Sequence, residues 1–521
     1  MVIYTQAELQ ALTPIRRTVE QRRPQQDRRD VFLCHAWDDR DGAAKELHDL
    51  LEANNVSVWF SEKDVRLGTV LLREIDRGLT KSCVGIVLVT PALLKRLEGE
   101  GIAAPEILYS PDRVLHPMRR TTPKSDPNPG WERITWDEAL DEIAVKFNTI
   151  KSDNGAESVA FAVTSLSGSP ISDNIDWIER FIRSFGSPNT AYATEICNWH
   201  KDHAHKYTFG TGILYPEYKN ADTILLWGFN PTAVWLDQAT QIAAARAGGA
   251  TIIAVGPRNA GYARDADHWL RVLPGTDGVL ALAIANILIT KDAFNANFIR
   301  QWTNGPFLVR EDNGEFLRAC DTSAGGDKRY VFANPDGILC FLDKDTSDKD
   351  KDLLNAKLLG SVIVKTNSGT IHCRPAFDHY AQACKEYSVE RAFRETSIPA
   401  EKIEAAANAL ISAERVAYYA WTGVGQHSNA TQTDRAIAML MALKGCYDTP
   451  GGNVAYTRHE TNPATGFSQF PAGQIEKALG IKERPLGPPS QGWVTANDLN
   501  SAILHKKPYA VRALMVFGAN I

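Results

Sequence analysis

The residues best suited to chemistry lie together in one stretch, Thr194–Gly212. It contains Cys197, followed closely by His200, His203 and His205, three of the chain's 12 histidines. A cysteine sulfur can serve as a nucleophile or as a soft metal ligand. It can equally be a small buried hydrophobe, so the residue type alone leaves these three roles for Cys197 open.

The histidines offer a second chemistry, a zinc site that Glu195 or Asp202 would complete. Residues on one face of an α-helix are three or four positions apart. His200, His203 and His205 follow an i, i+3, i+5 spacing, which does not place all three on one such face. The spacing therefore disfavours the zinc site.

The stretch after Cys197 predicts a strand–turn–helix–strand unit. Thr223–Trp227 and Thr251–Val255 read as buried strands that end in Gly228-Phe-Asn-Pro231 and Gly256-Pro-Arg258. In open α/β sheets, ligands bind at the carboxyl ends of strands, where glycine lets the backbone approach a phosphate. The G-x-G-x-x-G pattern of an ordinary NAD site is absent. Tight turns are the alternative role of these glycines; with Cys197 nearby, the pattern favours a metal cofactor carried on nucleotide tails.

Further strand ends repeat the arrangement along the chain. Pro274-Gly-Thr-Asp277 follows one strand, Gly423-Val-Gly-Gln-His427 follows the strand Val416–Trp421, and a last strand-like run covers Ala513–Ile521. Residues 305–375 are polar and interrupted, which predicts hairpins. Alternating strands and helices predict an α/β fold with parallel sheets covered by helices.

Composition sets outer bounds on function. The 521 residues carry a net charge of −5, which indicates no general nucleic-acid surface, and hydrophobic residues make up 44%. The eight cysteines include no C-x-x-C pair, and we expect no disulfide framework and a cytoplasmic protein. No apolar run reaches the roughly 18–20 residues of a membrane helix. Arginine pairs within residues 1–29 predict a solvated basic tail, with a weak anion-binding arm as the alternative.

The motifs of residues 30–100 resemble the first half of a bacterial Toll/interleukin-1 receptor (TIR) domain. They are Asp30-Val-Phe-Leu-Cys-His-Ala36, Val58-Trp59-Phe60, Leu67-Gly68 and Val87–Leu94. The resemblance implies a partial flavodoxin-like domain that self-associates in signalling or cleaves NAD with a glutamate. Glu106 lies near the place of that glutamate, and a linker carboxylate is its alternative role.

From Gly101 to Ile521 the ordered motifs resemble the molybdopterin oxidoreductases of the dimethyl sulfoxide reductase superfamily. Ile107-Leu-Tyr-Ser-Pro-Asp-Arg113 and Trp131–Ala139, which contains a Thr135–Glu138 capping box, join the glycine-bearing strand ends in this set. The resemblance implies doubly wound α/β domains and a molybdenum or tungsten bis-molybdopterin guanine dinucleotide cofactor. It also implies two-electron redox chemistry or oxygen-atom transfer on a small-molecule substrate, with an electron-transfer partner subunit.

The resemblance further implies roles for individual residues. Cys197 is the catalytic metal ligand. The remaining residues expected to bind the cofactor are Gly228, Asn230, Pro257, Arg258, Gly275 and Asp277 for one dinucleotide, Gly423, Gln426 and His427 for the second pterin, and Gly518 and Asn520 for its dinucleotide.

The sequence also departs from that family. Many members begin with a four-cysteine iron–sulfur segment, whereas only Cys34 and Cys83 precede Cys197, so no such cluster is expected in this chain. The family's C-terminal domain does not follow Ile521, which favours a chimera, a recombined gene or a fragment and leaves open whether the truncated chain is active. The alternatives are a TIR-domain signalling or NAD-cleaving protein and a non-catalytic nucleotide-binding scaffold.

The predicted domain boundaries follow from these motifs. Residues 1–29 form the tail, 30–100 the TIR-like part, and 101–135 a linker with the start of the second part. Residues 136–521 form the α/β lobes, with about 197–390 inserted between the two pieces, 136–196 and 391–521, of a discontinuous domain.

Overall fold

A computed structural model describes residues 29–35, 39–60, 82–88, 110–164, 174–322, 326–342, 352–456 and 462–518. The chain divides into two compact units, Met1–Ile143 and Ala144–Ile521, which we describe separately.

The first unit contains a three-stranded parallel sheet of order β2-β1-β3. Its elements are β1 Arg29–Cys34, α1 Ala43–Ala53, β2 Val58–Trp59, β3 Ser82–Val87, β4 Met118–Arg120, β5 Trp131–Arg133 and the start of α2 Trp136–Asn154. Val31, Leu33 and Val58 pack with Ala44 of α1 in a small core. The strand–helix–strand order of a flavodoxin-like half-domain is thus confirmed. Glu106 lies outside the described residues.

Helix α2 begins at the predicted capping box. The Glu138 amide donates to Thr135 Oγ1 at 3.2 Å, and the Thr135 amide donates to Glu138 Oε2 at 2.8 Å. The apolar side chains of this helix predict a stripe facing a core. Phe147, in the second unit, does pack edge-on against Phe161, but Trp136 is 65% exposed, so periodicity overstated the burial of the first turn.

The second unit is built on two parallel sheets and a segment of antiparallel strands. Its strands are β6 Val159–Val163, β7 Thr190–Tyr192, β8 Tyr215–Pro216, β9 Thr223–Trp227, β10 Thr251–Val255, β11 His268–Leu270, β12 Leu308–Arg310, β13 Val331–Ala333, β14 Leu339–Phe341, β15 Val362–Thr366, β16 Gly369–Pro375, β17 Val416–Ala420, β18 Asn453–Val454 and β19 Ala513–Phe517.

The helices of this unit follow the same order. They are α3 Ile175–Phe185, α4 Thr194–Cys197, a π-helix Trp199–Ala204, α5 Lys206–Phe209, α6 Pro231–Val234, α7 Leu236–Ala247, α8 Tyr262–Asp265, α9 Asp277–Thr290, α10 Ala296–Trp302, α11 Ala376–Lys385, α12 Val389–Thr396, α13 Ala400–Ser412, α14 Thr422–Gly425, α15 Ala430–Lys444 and α16 Ala496–His505. No helix among the residues that the structure describes is long and apolar enough to cross a membrane.

The first parallel sheet has the order β11-β10-β9-β17. Leu225 of β9 packs with Leu280 of α9 and Ile437 of α15 on one face, and Ile224 packs with Ile242 of α7 on the other. Because alternate strand residues point to opposite faces, helices cover both sides of the sheet, which confirms the doubly wound arrangement.

The pairing of β17 with β9 bears on the predicted domain boundary near residue 390. Ala420 lies opposite Trp227, so strands from both sides of that boundary share one sheet. The spacing of motifs in the sequence cannot reveal this pairing, because β9 and β17 lie far apart in the chain and hydrogen-bond only in the folded sheet. The division of the lobes as a whole stays a prediction.

The second parallel sheet has the order β19-β6-β7, and it carries the strand that leads to Cys197. Phe161 and Ile182 pack on one face, and Ala160 packs with Leu479 and Val494 on the other. In the chain between β11 and β17, the strands β12, β15 and β16 form an antiparallel sheet, and β13 and β14 form a hairpin. These elements confirm the predicted hairpins.

Candidate cofactor site

Cys197 ends the short helix α4, which follows the edge strand β7 of the second sheet. Its amide donates to Ala193 O at 3.1 Å, and its side chain is half-buried and free of disulfide bonding. Burial raises the pKa of the Cys197 thiol, while the Lys201 ammonium lowers it. A half-buried thiol next to a cation suits a sulfur that gives up its proton to a metal.

His200 and His203 lie on a π-helix, a rare form that occurs mostly at functional sites, and His205 follows its last residue. The His205 amide donates to His200 O at 2.9 Å, the i+5 bond of a π-turn, and both side chains are fully buried. His200 and His205 are five positions apart, and the backbone bond between them closes one turn of the π-helix. Within the described ranges, no group of three or more His, Cys, Asp or Glu side chains could hold a metal ion.

His200 connects the Cys197 helix with the turn after β17. Its Nε2 lies 3.5 Å from Ala420 O, and a β-carbon built at Gly425 would lie 2.6 Å from its Nδ1 and 3.4 Å from Ile196 O. Burial lowers the pKa of His200 and favours the neutral imidazole. The sequence-predicted Cys197 and the turn Gly423–His427 are thus brought into one region from different sheets.

The ends of β9 and β17 meet through two glycines. The Gly423 amide donates to Gly228 O at 3.1 Å, and a β-carbon at Gly423 would lie 2.6 Å from Gly228 Cα. Gly228 also has a φ of +57°, in the left-handed region that favours glycine. The predicted turns at 228 and 423 therefore form one continuous backbone surface at the carboxyl ends of the strands.

Asp277 lies at the start of α9, next to the end of β9. Its Oδ1 accepts a hydrogen bond from Trp227 Nε1 at 2.8 Å, and both side chains are buried. Burial raises the pKa of Asp277, while the bond from Trp227 and the nearby charge of His427 lower it. The structure thus joins the end of β9 to the start of α9 through one buried carboxylate.

Other predicted residues at this edge are open to solvent. Pro257, Arg258, Gly275 and Gln426 are exposed, and Asn230 is half-buried with its Oδ1 accepting from Thr232 Oγ1 at 2.7 Å. A β-carbon built at Gly256 or Gly275 would have no described atom within 4 Å. Open space beside glycine backbone and an exposed arginine fit a phosphate-bearing ligand.

The second sheet brings Gly518 to the same end as Cys197. Phe517 of β19 lies opposite Val163 of β6, which lies opposite Tyr192 of β7. Gly518 O accepts from Thr164 Oγ1 at 2.6 Å. Gly518 therefore lies two strands from the strand that leads to Cys197, at about 10 Å on normal strand spacing. Asn520 lies outside the described residues.

Two residues near Cys197, Lys201 and Asn198, were not among the site residues predicted from the sequence. Lys201 Nζ lies 2.5 Å from Asp202 Oδ1 and 5.1 Å from the centroid of the Trp421 ring. Asn198 Oδ1 is buried and has no hydrogen-bond partner among the described residues. Only the tertiary contact of the π-helix with β17 reveals the lysine, since lysine is an ordinary solvent-facing residue in a sequence.

Two known families match the sequence. The family described as molybdopterin oxidoreductase matches residues 113–507, more than half of the chain. The family described as TIR domain matches residues 31–144. The two matches overlap from residue 113 to residue 144.

Curated proteins and solved structures agree with the larger match. Dopamine dehydroxylase of Eggerthella lenta is 28% identical over 556 residues, covering 86% of this chain and 54% of that protein. Perchlorate reductase subunit alpha of Dechloromonas aromatica is 27% identical, covering 72% of this chain and 44% of that subunit. Acetylene hydratase from Pelobacter acetylenicus has the same fold, with a TM-score of 0.60 at 20% identity, over 81% of this chain and 51% of that one. The chain spans about half the length of the curated relatives it matches.

Proposed function

The chain belongs to the molybdopterin oxidoreductase family, and we propose that Cys197 ligates molybdenum or tungsten in a bis-molybdopterin guanine dinucleotide centre. The observation that carries the proposal is the approach of two sheets. The helix that ends at Cys197 lies against Gly425, in the turn that follows β17. A soft sulfur and a nucleotide-type turn therefore share one region of the second unit.

The residues present fit such a cofactor. Gly256 and Gly275 leave open space at strand ends, and exposed Arg258 offers a planar fork for phosphate. We assign one dinucleotide to Gly228, Asn230, Pro257, Arg258, Gly275 and Asp277, the second pterin to Gly423, Gln426 and His427, and its dinucleotide to Gly518 and Asn520. When bound, the metal supplies two-electron transfer or oxygen-atom transfer to a small-molecule substrate.

The chain's own residues prepare this region for charge. Burial raises the pKa of the Cys197 thiol, and the Lys201 ammonium opposes part of that rise, so the lysine acts in favour of the thiolate form that metals bind. Burial lowers the pKa of His200, which favours its neutral form over the positively charged one. The Gly228–Gly423 contact keeps two strand ends at a fixed separation beneath the cofactor region.

A metal and pterin assay tests the proposal. We would express the full chain in a host that makes the molybdenum cofactor and measure metal by mass spectrometry and pterin by fluorescence after oxidation. Wild type and Cys320→Ala, which removes an exposed cysteine, are expected to carry metal and pterin. Cys197→Ala is expected to lose metal or change its electron paramagnetic resonance spectrum. Absence of both metal and pterin from wild type, in a host that loads a known family member, would refute the proposal.

One of the relatives favours a partner subunit. The perchlorate reductase relative is named as subunit alpha. We propose that this chain likewise exchanges electrons with a separate subunit. Co-purification of a redox protein with the tagged chain from its native cells tests this, and a chain that turns over with artificial donors yet binds no such protein would contradict it.

The TIR match favours a second function for the first unit. We propose self-association or NAD cleavage there, with Glu106 as the candidate catalytic carboxylate. Nicotinamide release from NAD that is lost in Glu106→Ala and kept in Glu98→Ala would support cleavage. Full activity of Glu106→Ala would exclude that role for Glu106.

A further inference from the structure

The π-helix after Cys197 is fastened to helix α15 at two points. Trp199 Nε1 donates to Thr431 Oγ1 at 2.9 Å, and His205 Nδ1 lies 3.0 Å from Asp434 Oδ2. Thr431 and Asp434 are three positions apart, so they lie on one face of α15. The two contacts hold the first residue of the π-helix and the residue that follows its last.

The His205–Asp434 pair is expensive to bury. Both side chains are 0% exposed. His205 Nε2 and Asp434 Oδ1 have no hydrogen-bond partner in the part of the chain that the structure describes. The free energy needed to remove two ionisable groups from water offsets much of the free energy gained from their attraction. Such a pair is therefore weak evidence for a purely stabilising role.

The surroundings confine the pair to this geometry. The His205 ring stacks on Phe209 at 4.9 Å between centroids, and the Tyr418 hydroxyl lies 3.5 Å from His205 Nδ1. These contacts come from the chain segment after the π-helix and from β17. Without Asp434, His205 Nδ1 is left with the longer contact to the Tyr418 hydroxyl, so the ring loses its short hydrogen bond to α15.

A π-turn also fixes the direction of the residues before it. It inserts one residue relative to an α-helix, and one residue corresponds to about 100° of rotation around the axis. If the turn relaxed to α-helix while α5 stayed in place, helix α4 and Cys197 would rotate by a similar angle. The direction of the Cys197 sulfur therefore depends on keeping the π-turn.

We propose that Asp434 and His205 form a positioning pair that holds the π-helix, and thereby sets the direction and exposure of Cys197. Thr431 serves the same end at the start of the turn. The inference concerns residues outside the proposed cofactor contacts. It is tested on the chain by itself, so it can fail while the cofactor proposal stands, and the reverse.

The test measures how fast iodoacetamide alkylates Cys197 relative to exposed Cys320, by peptide mass spectrometry of the full folded chain. Asp434→Asn keeps an oxygen acceptor for His205 and is expected to keep the wild-type ratio. Asp434→Leu removes the acceptor and is expected to change the ratio by about fivefold or more, because thiol reactivity follows exposure and local charge. Met441→Ala, a buried substitution on the same helix, controls for lost stability and is expected to leave the ratio unchanged.

A second variant covers the case in which Asp434→Leu does not fold. Thr431→Val nearly keeps the side-chain shape, removes the acceptor for Trp199, and leaves no buried charge unpaired. It is expected to shift the ratio and to speed amide exchange at His205, whose amide makes the π-turn bond. A wild-type ratio in folded Asp434→Leu, or in Thr431→Val when the former is unfolded, would overturn the proposal.

Discussion

Gly423 rests directly on Gly228: the Gly423 amide donates to Gly228 O at 3.1 Å, with no room for a side chain between the two residues. This contact joins the carboxyl ends of β9 and β17, two adjacent strands of the first parallel sheet. In open α/β sheets ligands bind outside these ends. The contact therefore shapes the surface on which the proposed cofactor would lie.

Gly423→Ala should destabilise the second unit. Its β-carbon would lie 2.6 Å from Gly228 Cα, and backbone on both sides must move to admit it. We expect a loss of about 1–3 kcal/mol in the free energy of unfolding, typical of overpacking, measured by denaturant titration. Gly466→Ala, whose β-carbon would meet its nearest atom only at 3.8 Å, is the control. Equal stability of Gly423→Ala and wild type would show that the strand ends separate easily.

Gly256→Ala should separate binding from stability. Its β-carbon would meet no described atom within 4 Å, and its φ lies outside the left-handed region, so we expect an unfolding free energy within about 0.5 kcal/mol of wild type. If the open space takes the cofactor's phosphates, the methyl group blocks them, and the cofactor content per chain falls. Stability comes from denaturant titration, and content from guanine released on acid hydrolysis. Undiminished content would place the cofactor elsewhere.

Asp277→Asn should change how stability depends on pH. Burial raises the pKa of Asp277 above its ordinary value of 3.8, so the folded state holds the proton more tightly than the unfolded state. Wild type therefore loses stability as pH rises from below 3.8 through the folded-state pKa, whereas the neutral amide carries no such loss. We expect the free energy of unfolding of wild type, minus that of Asp277→Asn, to fall over that window.

Denaturant titrations of both proteins between about pH 3.5 and 7 measure this difference, over a window that begins near the ordinary aspartate pKa and extends above it. Asp336→Asn, at an exposed position, is the matched control. A pH-independent difference for Asp277→Asn would mean that the bond from Trp227 and the charge of His427 offset the effect of burial.

Local patterns predicted most of the elements around the site. The strands Val159–Val163, Thr223–Trp227 and Thr251–Val255 and the helix Ile175–Phe185 have the bounds that their apolar runs indicate. Each is long enough for a clear period or a continuous buried run, and all but Val159–Val163 are followed directly by a glycine. The pattern of Val234–Ala247 predicts one helix, whereas the structure has a short helix that ends at Val234 and a second that begins at Leu236. The proline and asparagine at the first helix's start signal that turn only weakly.

The π-helix is the element that sequence could not predict. Its side chains follow neither an α-helical nor a strand period, so the spacing of the histidines indicates no shared face. Helix α15 decides the matter, since Thr431 and Asp434 hold residues more than 200 positions earlier in the chain. A contact at that separation leaves no local trace in the pattern of apolar residues.

The sequence by itself determined the α/β class and the parallel strands with glycine at their ends, because hydrophobic period and turn chemistry are local properties. It singled out Cys197 only through the resemblance of its ordered motifs to a known family, since the residue type alone left the role of Cys197 open. Tertiary structure alone decided that β17 joins β9, that Gly423 rests on Gly228, and that Asp277 is held under Trp227. It also placed Lys201 near Cys197 and bound His205 to Asp434. These relationships depend on which strand edges pair and which helix faces pack, and many sequences of the same local pattern satisfy different pairings.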